Sequence, residues 1–281
     1  MTAPGTIYIV STPIGNLEDI TIRAARLLGE VDLIAAEDTR RTGKLLAHLG
    51  LKTRMVSYHD ATESRRAPEL LERVKSGANL ALVSDAGTPL VADPGFRLVA
   101  LAAAEGVTVV PVPGASAPLA LLAASGLPTD RFRFLGFLPA RMKARRDAIE
   151  ALRSETDTVI LFETARRLPA ALVDLAEILG PRPTVIGREL TKKHEEIQRG
   201  TLVSLEEHFR KIPSIRGEIV IAIARSEASL DAGDRLAEAQ LRLQQRISEG
   251  ESPSRAARAV ARELELPRSQ VYRLAHSPEN S

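Results

Sequence analysis

The sequence predicts an α/β protein of two sheets followed by a small helical tail. Three observations carry that prediction. Apolar strand-like runs alternate with helical patterns about five times in the first 125 residues, which implies a mostly parallel sheet with helices on both faces. Beyond 126–131, GLPTDR, the links shorten and some strands turn polar, which implies a mixed sheet with antiparallel neighbours. From 234 onward only helical patterns remain. The chain is thus expected to divide into 1–125, 126–226 and 234–281. The small, polar and acidic stretch 226–233, SEASLDAG, reads as a linker.

The elements follow in order. Residues 6–11, TIYIVS, read as a buried strand, broken by Thr12-Pro13-Ile14-Gly15-Asn16. A helix is expected over 19–28, capped by Asp19. Strand 31–36 ends in Glu37-Asp38-Thr39-Arg40-Arg41, and a helix runs to about Leu49. A short strand at 54–58 and an amphipathic helix at 62–76 lead to strand 79–84. That strand breaks into the loop 85–95, DAGTPLVADPG, rich in residues that fix unusual torsions. Helix 95–105, strand 107–112 and a small-residue helix within 113–128 complete the first sheet. The strand-end loops at 12–16, 37–41, 85–95 and 113–117 gather on one edge, where open α/β sheets bind ligands. An ordinary strand–turn–helix corner is the competing reading of the 85–95 loop.

In the second part, strands are expected at 132–137, 157–162, 183–187, 196–203 and 217–224. Helices are expected at 142–153 and 166–178, with a brief helical segment before the last strand. The tail reads as helices at 234–249, 253–264 and 268–276. The last two have the cadence of a helix-turn-helix, with Ser269 and Gln270 near the start of the second. Residues 227–281 hold eight basic and nine acidic residues, so the tail is not strongly cationic. Arg255, Arg258 and Arg262 nevertheless share one helical face. Two readings stand: a nucleic-acid-binding unit, or a bundle packed on the body or a partner subunit.

Composition narrows the class. Hydrophobic residues make 44% of the 281 and charged residues 26%, as in a soluble globular protein. No apolar run reaches the roughly 20 residues that span a membrane. The segment MTAPGTIYIV lacks the basic region of a signal peptide. There is no cysteine, which excludes disulfides and thiolate metal sites. His48, His59, His194, His208 and His276 show no metal-ligand spacing, and no metal is expected. A cytoplasmic protein fits these features. No P-loop, GxGxxG or GxSxG is present. Aromatics are only 3%, with no Trp, which argues against extensive base stacking. Net charge is +2, yet Arg131, Arg133, Arg141, Lys143, Arg145 and Arg146 cluster with only Asp130 and Asp147 beside them. That cluster is a candidate polyanion patch, or else a solvated helix face.

Four motifs occur in order at successive strand ends: STPIGNLEDITIRA at 11–24, EDTRRTGKLL at 37–46, SDAGTPLVADPG at 84–95 and VPGASAPLALLAASGLP at 112–128. Together they resemble the tetrapyrrole-methylase superfamily of S-adenosylmethionine-dependent methyltransferases. FETARRL at 162–168, GRELTKKHEEIQRG at 187–200 and the tail resemble its bacterial branch, which methylates a cytidine ribose 2′-hydroxyl in small-subunit (16S) ribosomal RNA. The resemblance covers nearly the whole chain. It implies a two-domain tetrapyrrole-methylase-like fold, S-adenosylmethionine in the cleft between the domains, a homodimer, and 16S ribosomal RNA or the small ribosomal subunit as partner.

Carried onto this sequence, the resemblance places Pro13 and Gly15 near the cofactor. It wraps Asp85, Ala86, Gly87, Thr88, Pro89 and Leu90 around the methionine and ribose parts, and adds Ala115, Ser116 and Ala117 as a third contact. Phe162, Glu163 and strand 217–224 are candidates beside the adenine. Methyl transfer to a hydroxyl needs in-line geometry and a proton acceptor. Glu37, Asp38, Glu163, Glu189 and Lys192 are the possible bases, with Glu163, Glu189 and Lys192 as the catalytic candidates and Arg188, Glu189 and Lys192 favoured for substrate handling. Arg40, Arg41, Lys44, Arg141, Lys143, Arg145 and Arg146 are candidate phosphate contacts. Two other readings keep part of the pattern: a methyltransferase of a tetrapyrrole or other small molecule, and a non-catalytic RNA-binding assembly factor.

Overall fold

The structure, a computed structural model, describes residues 3–264 and 266–275, with the backbone alone for 227–235 and 237. In the first half, strands β1 (Thr6–Val10), β2 (Leu33–Ala36), β3 (Met55–Ser57), β4 (Leu80–Val83) and β5 (Thr108–Val112) alternate with helices α1 (Ile22–Glu30), α2 (Thr39–His48), α3 (Asp60–Lys75), α4 (Phe96–Ala104) and α5 (Ala117–Ser125). The sheet order is β3-β2-β4-β1-β5, all parallel. β2 and β4 are apolar throughout because both faces are covered. Leu80 and Leu82 pack with Leu70, Leu71 and Leu98 on one face, and Ala81 and Val83 with Leu28 and Leu45 on the other. β1 lies between β4 and β5, so the loops leaving these three strands emerge side by side.

One expected helix start is corrected. Asn16 Oδ1 accepts the Glu18 N–H at 3.1 Å and closes a 3₁₀ turn over Leu17–Asp19. Asp19 is used up in that turn. The α-helix begins only at Ile22, capped by Thr21, whose Oγ1 accepts the Ala24 N–H at 3.1 Å.

The second half contains β6 (Phe132–Phe137), α6 (Met142–Glu150), β7 (Thr158–Thr164), α7 (Leu168–Leu179), β8 (Pro183–Arg188), β9 (Glu196–Thr201), α8 (Leu202–Arg210) and β10 (Glu218–Ile223). Its sheet order is β6-β7-β10-β8-β9, with only β6 and β7 parallel among its pairs. One face packs on α6, α7 and α8 through Leu161, Ile186 and Ile221 against Leu172, Leu175 and Phe209. The other face, through Ile160, Val185, Val220 and Ala222, receives Leu121 and Leu122 of α5 together with Ile14. The apolar helix α5 therefore joins the halves. Arg199 of β9 secures its end by donating to Ala124 O and to Ser125 O, the latter at 3.3 Å.

The tail forms helices α9 (Glu227–Ser248), α10 (Pro253–Glu263) and α11 (Arg268–Ala275) around Ala239, Leu243, Ala257, Val260 and Val271. The expected linker at 226–233 is instead the start of α9. Glu227, Ala228 and Leu230 favour helix, and Gly233 alone does not prevent it. Glu265, in the expected turn, and His276, the expected end of the last helix, lie outside the described residues. Arg255, Arg258 and Arg262 are exposed on the face of α10 opposite its buried alanines.

Candidate active site

The loops after β1, β4 and β5 are stitched together. Thr12 and Gly87 exchange backbone hydrogen bonds of 2.8 and 3.0 Å. Thr12 Oγ1 donates to Ser84 O at 3.1 Å. The Ser11 and Thr88 hydroxyls lie 2.9 Å apart, and Thr88 Oγ1 donates to Ala115 O at 3.5 Å. Gly87 has φ 82°, a conformation that favours glycine. A Cβ there would stand 3.4 Å from Ile14 Cγ2. These contacts give a floor of small residues.

Residues 189–195, between β8 and β9, close this end of the site. Asn16 N donates to Thr191 Oγ1 at 3.1 Å. Gly15 approaches so closely that a Cβ would lie 2.4 Å from Lys192 Cγ and 3.0 Å from Leu190 O. Among the described residues, the non-glycine positions with positive φ are Leu90, Ala92, Glu189 and Thr191. All lie in the two loops bordering this cleft, in keeping with strain concentrated at functional sites.

A cavity of about 350 Å³ opens between the halves, within the range of small-molecule sites. Of the predicted cofactor residues, Asp85, Ala86, Gly87, Thr88, Ser116 and Ala117 line it. Gly15 and Ala115 stand behind the lining in the contacts given above. Pro13 lines a neighbouring cleft with Arg41 and Lys44 instead. Pro89 is buried, and Leu90 packs beneath Gly95, so neither reaches the cavity. The second half contributes Phe137, Phe162, Glu163, Leu190 and residues 217–220. Phe137 and Asp93 also line it; sequence reasoning read Asp93 only as part of the 85–95 loop and did not single out Phe137.

The three catalytic candidates differ in setting. Glu189 Oε1 accepts from Lys192 Nζ and from Glu218 N, each at 2.9 Å. Hydrogen bonds from Lys192 and from the Glu218 N–H hold its carboxyl below the usual range. Burial disfavours the Lys192 charge, but hydrogen bonds to Glu189 and Glu218 outweigh it and raise its pKa. This pair braces the loop, and a lowered Glu189 pKa beside a raised Lys192 pKa is poorly matched to proton abstraction. Arg188 likewise pairs with Glu196 at 2.6 Å.

Glu163 is different. It is 3% exposed. Its Oε1 accepts the Thr164 N–H at 2.7 Å and lies 3.3 Å from Arg167 Nε. Its Oε2 is buried with no hydrogen-bond partner. A buried carboxylate oxygen left unpaired is costly and calls for a ligand.

The opposite wall is acidic. Burial raises the Glu37 pKa, opposed by the Asp85 N–H and reinforced by the Asp85 and Asp60 charges. Burial and then the Glu37 charge push Asp93 up to about 6, while a Ser84 hydrogen bond lowers it. Arg41 Nε sits 3.4 Å from Asp85 Oδ2.

The basic cluster does not form one open patch. Arg145 is buried, with Nη2 2.6 Å from Asp174 Oδ2. It is a core strut, which corrects its assignment as a phosphate contact: Asp174 lies 29 residues on and was not counted against it. Arg146 is shared between Asp174 and Glu177, Arg131 pairs with Asp157 and Arg133 with Glu155. Arg141 and Lys143 remain exposed without an ion pair among the described residues. Arg40 is exposed and grips Asp38, while Lys44 is exposed beside Arg41.

Residues 6–206 match the family of tetrapyrrole (corrin/porphyrin) methylases. The chain belongs to that family. It is 45% identical over 274 residues to ribosomal RNA small subunit methyltransferase I of Synechocystis sp., covering 96% of this chain and 97% of the relative. The protein of the same name from Escherichia coli O157:H7 is 43% identical over 274 residues, 96% of this chain and 94% of the relative. Among solved structures, a diphthine synthase superposes with TM-score 0.60 at 19% identity, covering 78% of this chain and 90% of that one. A Thermus thermophilus uroporphyrin-III C-methyltransferase complexed with S-adenyl homocysteine superposes with TM-score 0.54 at 22% identity, covering 78% and 97%. These structures share the fold.

The residues present fit an S-adenosylmethionine-type cofactor. Gly87 and its small neighbours leave room at the cavity floor. Asp85, Glu37 and Asp93 offer negative charge to a cationic sulfonium and ammonium group.

Proposed function

We propose that this chain uses S-adenosylmethionine to methylate the ribose 2′-hydroxyl of a cytidine in 16S ribosomal RNA, free or within the small subunit. The degree of the likeness carries this reading. The two ribosomal RNA methyltransferases named above are 45% and 43% identical to this chain over 96% of it, whereas the solved diphthine and uroporphyrin enzymes are 19% and 22% identical over 78%.

When bound, the cofactor supplies an electrophilic methyl group. Asp85, Ala86, Gly87 and Thr88, with Ser116 and Ala117, hold it against the small-residue floor. Gly15 and loop 189–195 seal that end. Glu163 accepts the hydroxyl proton on Oε2, while Thr164 N–H and Arg167 fix Oε1. Arg141, Lys143, Arg40, Arg41 and Lys44 serve the phosphate backbone as positioning cations. The protein acts in the cytoplasm as a homodimer. Among the described residues, no helix is long and apolar enough to cross a membrane.

The test is transfer of labelled methyl from S-adenosylmethionine to small subunits and to their free RNA, with a porphyrinogen in parallel. Labelled RNA supports the reading. Label on the porphyrinogen alone overturns it.

A further inference from the structure

We infer that Phe137 is the stacking surface for the base of the target nucleotide; this deepens, and rests on, the RNA reading above. The inference begins with a fault in strand register. Phe134 of β6 stands opposite Ile160 of β7, yet Phe137 stands opposite Phe162. Three steps on one strand face two on the other, so β6 carries an extra residue. Gly136 has φ 66°, and a Cβ there would meet no atom within 4 Å. The left-handed torsion, not crowding, is what favours glycine there.

Regular alternation would put Phe134 and Phe137 on opposite faces. The bulge brings both to Phe162. Phe134 meets that ring edge-on at 4.9 Å between centroids, and Phe137 meets it tilted by 54° at 5.5 Å. Phe134 packs into the core between the halves. Phe137 instead lines the cavity and is 51% exposed. In a chain with six Phe and no Trp, three of the six are gathered here.

Two further features suit a nucleobase. Arg167 Nη2 donates to Leu138 O and to Pro139 O, while its Nε faces Glu163. One side chain thus fixes the segment after Phe137 relative to the proton acceptor. Phe137 shares the cavity with the cofactor loops but stands across the second sheet from the β8–β9 loop that meets Gly15: β6 lies three strands from β8, about 14 Å at ~4.8 Å per strand. The exposed cations Arg141 and Lys143 follow Phe137 closely along the chain, within reach of a phosphate backbone. An unstacked nucleotide therefore finds an aromatic face, a carboxylate near its ribose, and cations along its backbone. Stacking of this kind tolerates any base, so Phe137 positions the nucleotide without selecting cytidine.

The test compares Phe137→Ala, Phe137→Leu and Phe137→Tyr in methyl transfer to small subunits, with calorimetry of S-adenosyl homocysteine for each. Loss of the ring is expected to lower kcat/KM by about 5- to 150-fold, mainly through KM. Leu, which keeps apolar packing but has no π-face, is expected to behave like Ala. Tyr is expected to restore most of the loss, and all three are expected to bind the cofactor product as wild type does. Phe137→Trp adds the chain's sole tryptophan, whose emission is expected to be quenched by a cytidine-containing RNA and not by the cofactor alone. Full activity in Phe137→Leu, or cofactor binding weakened as much as transfer, overturns the inference. If wild type transfers no methyl to RNA, the functional reading fails separately, and the Trp emission still decides whether a base stacks here.

Discussion

Glu163 and Asp93 are both acids at the cavity, and their surroundings set them apart. Glu163 has one oxygen fixed and one unpaired. Replacing it by Gln keeps the shape and removes the acceptor. Single-turnover transfer in Glu163→Gln should slow by about 10²- to 10⁴-fold with cofactor affinity unchanged; a rate near wild type would show that the proton leaves elsewhere. Asp93 has its pKa raised from 3.8 to about 6. The folded chain therefore holds a proton there that the unfolded chain has lost, and stability falls as pH rises through that window. Asp93→Asn should be more stable than wild type by about 1 kcal/mol at pH 7.5 after allowance for solvent screening, with the gain vanishing below about pH 4. Thermal melts across pH measure it. The loop at 85–95 stands out in the sequence because its composition is unusual, whereas residues 115–117 enter as site residues only through the family resemblance. The sequence could not separate Glu163 from Glu189. That distinction depends on the Glu218 N–H, which folding brings to Glu189 from 29 residues away.

At the scale of elements, the apolar runs of β2 and β4 were readable because both faces are buried, which leaves no polar alternation to misread. The bulge in β6 was not readable, since one extra residue reverses every face beyond it. The first loop and the β8–β9 loop meet through Gly15. A valine there would drive its Cβ into Lys192 Cγ and Leu190 O. Overpacking of this kind costs about 1–3 kcal/mol, so calorimetry of Gly15→Val should show cofactor affinity reduced by about tenfold. α6 and α7 meet through Arg145 and Asp174, both buried. Asp174→Ala strands the Arg145 charge and should destabilise the fold by about 3 kcal/mol in denaturant melts. Arg141→Ala, on the exposed start of α6, should leave stability unchanged. It should instead reduce the salt slope of RNA binding by about 0.7.

For the whole molecule, two sheets with different strand directions are joined by α5, and the cavity forms where their loop-bearing edges face each other. One side lines it with small residues and the other with Phe137, Phe162 and Glu163; on the proposed reading the first holds the cofactor and the second receives the RNA. The most direct measurement digests small-subunit RNA, after reaction with labelled S-adenosylmethionine, to nucleosides and identifies the one carrying the label. The expected result is a ribose 2′-O-methylated cytidine in the wild-type reaction and its near absence with Glu163→Gln. Label on a nucleobase, or on no nucleoside although the cofactor binds, would contradict the account.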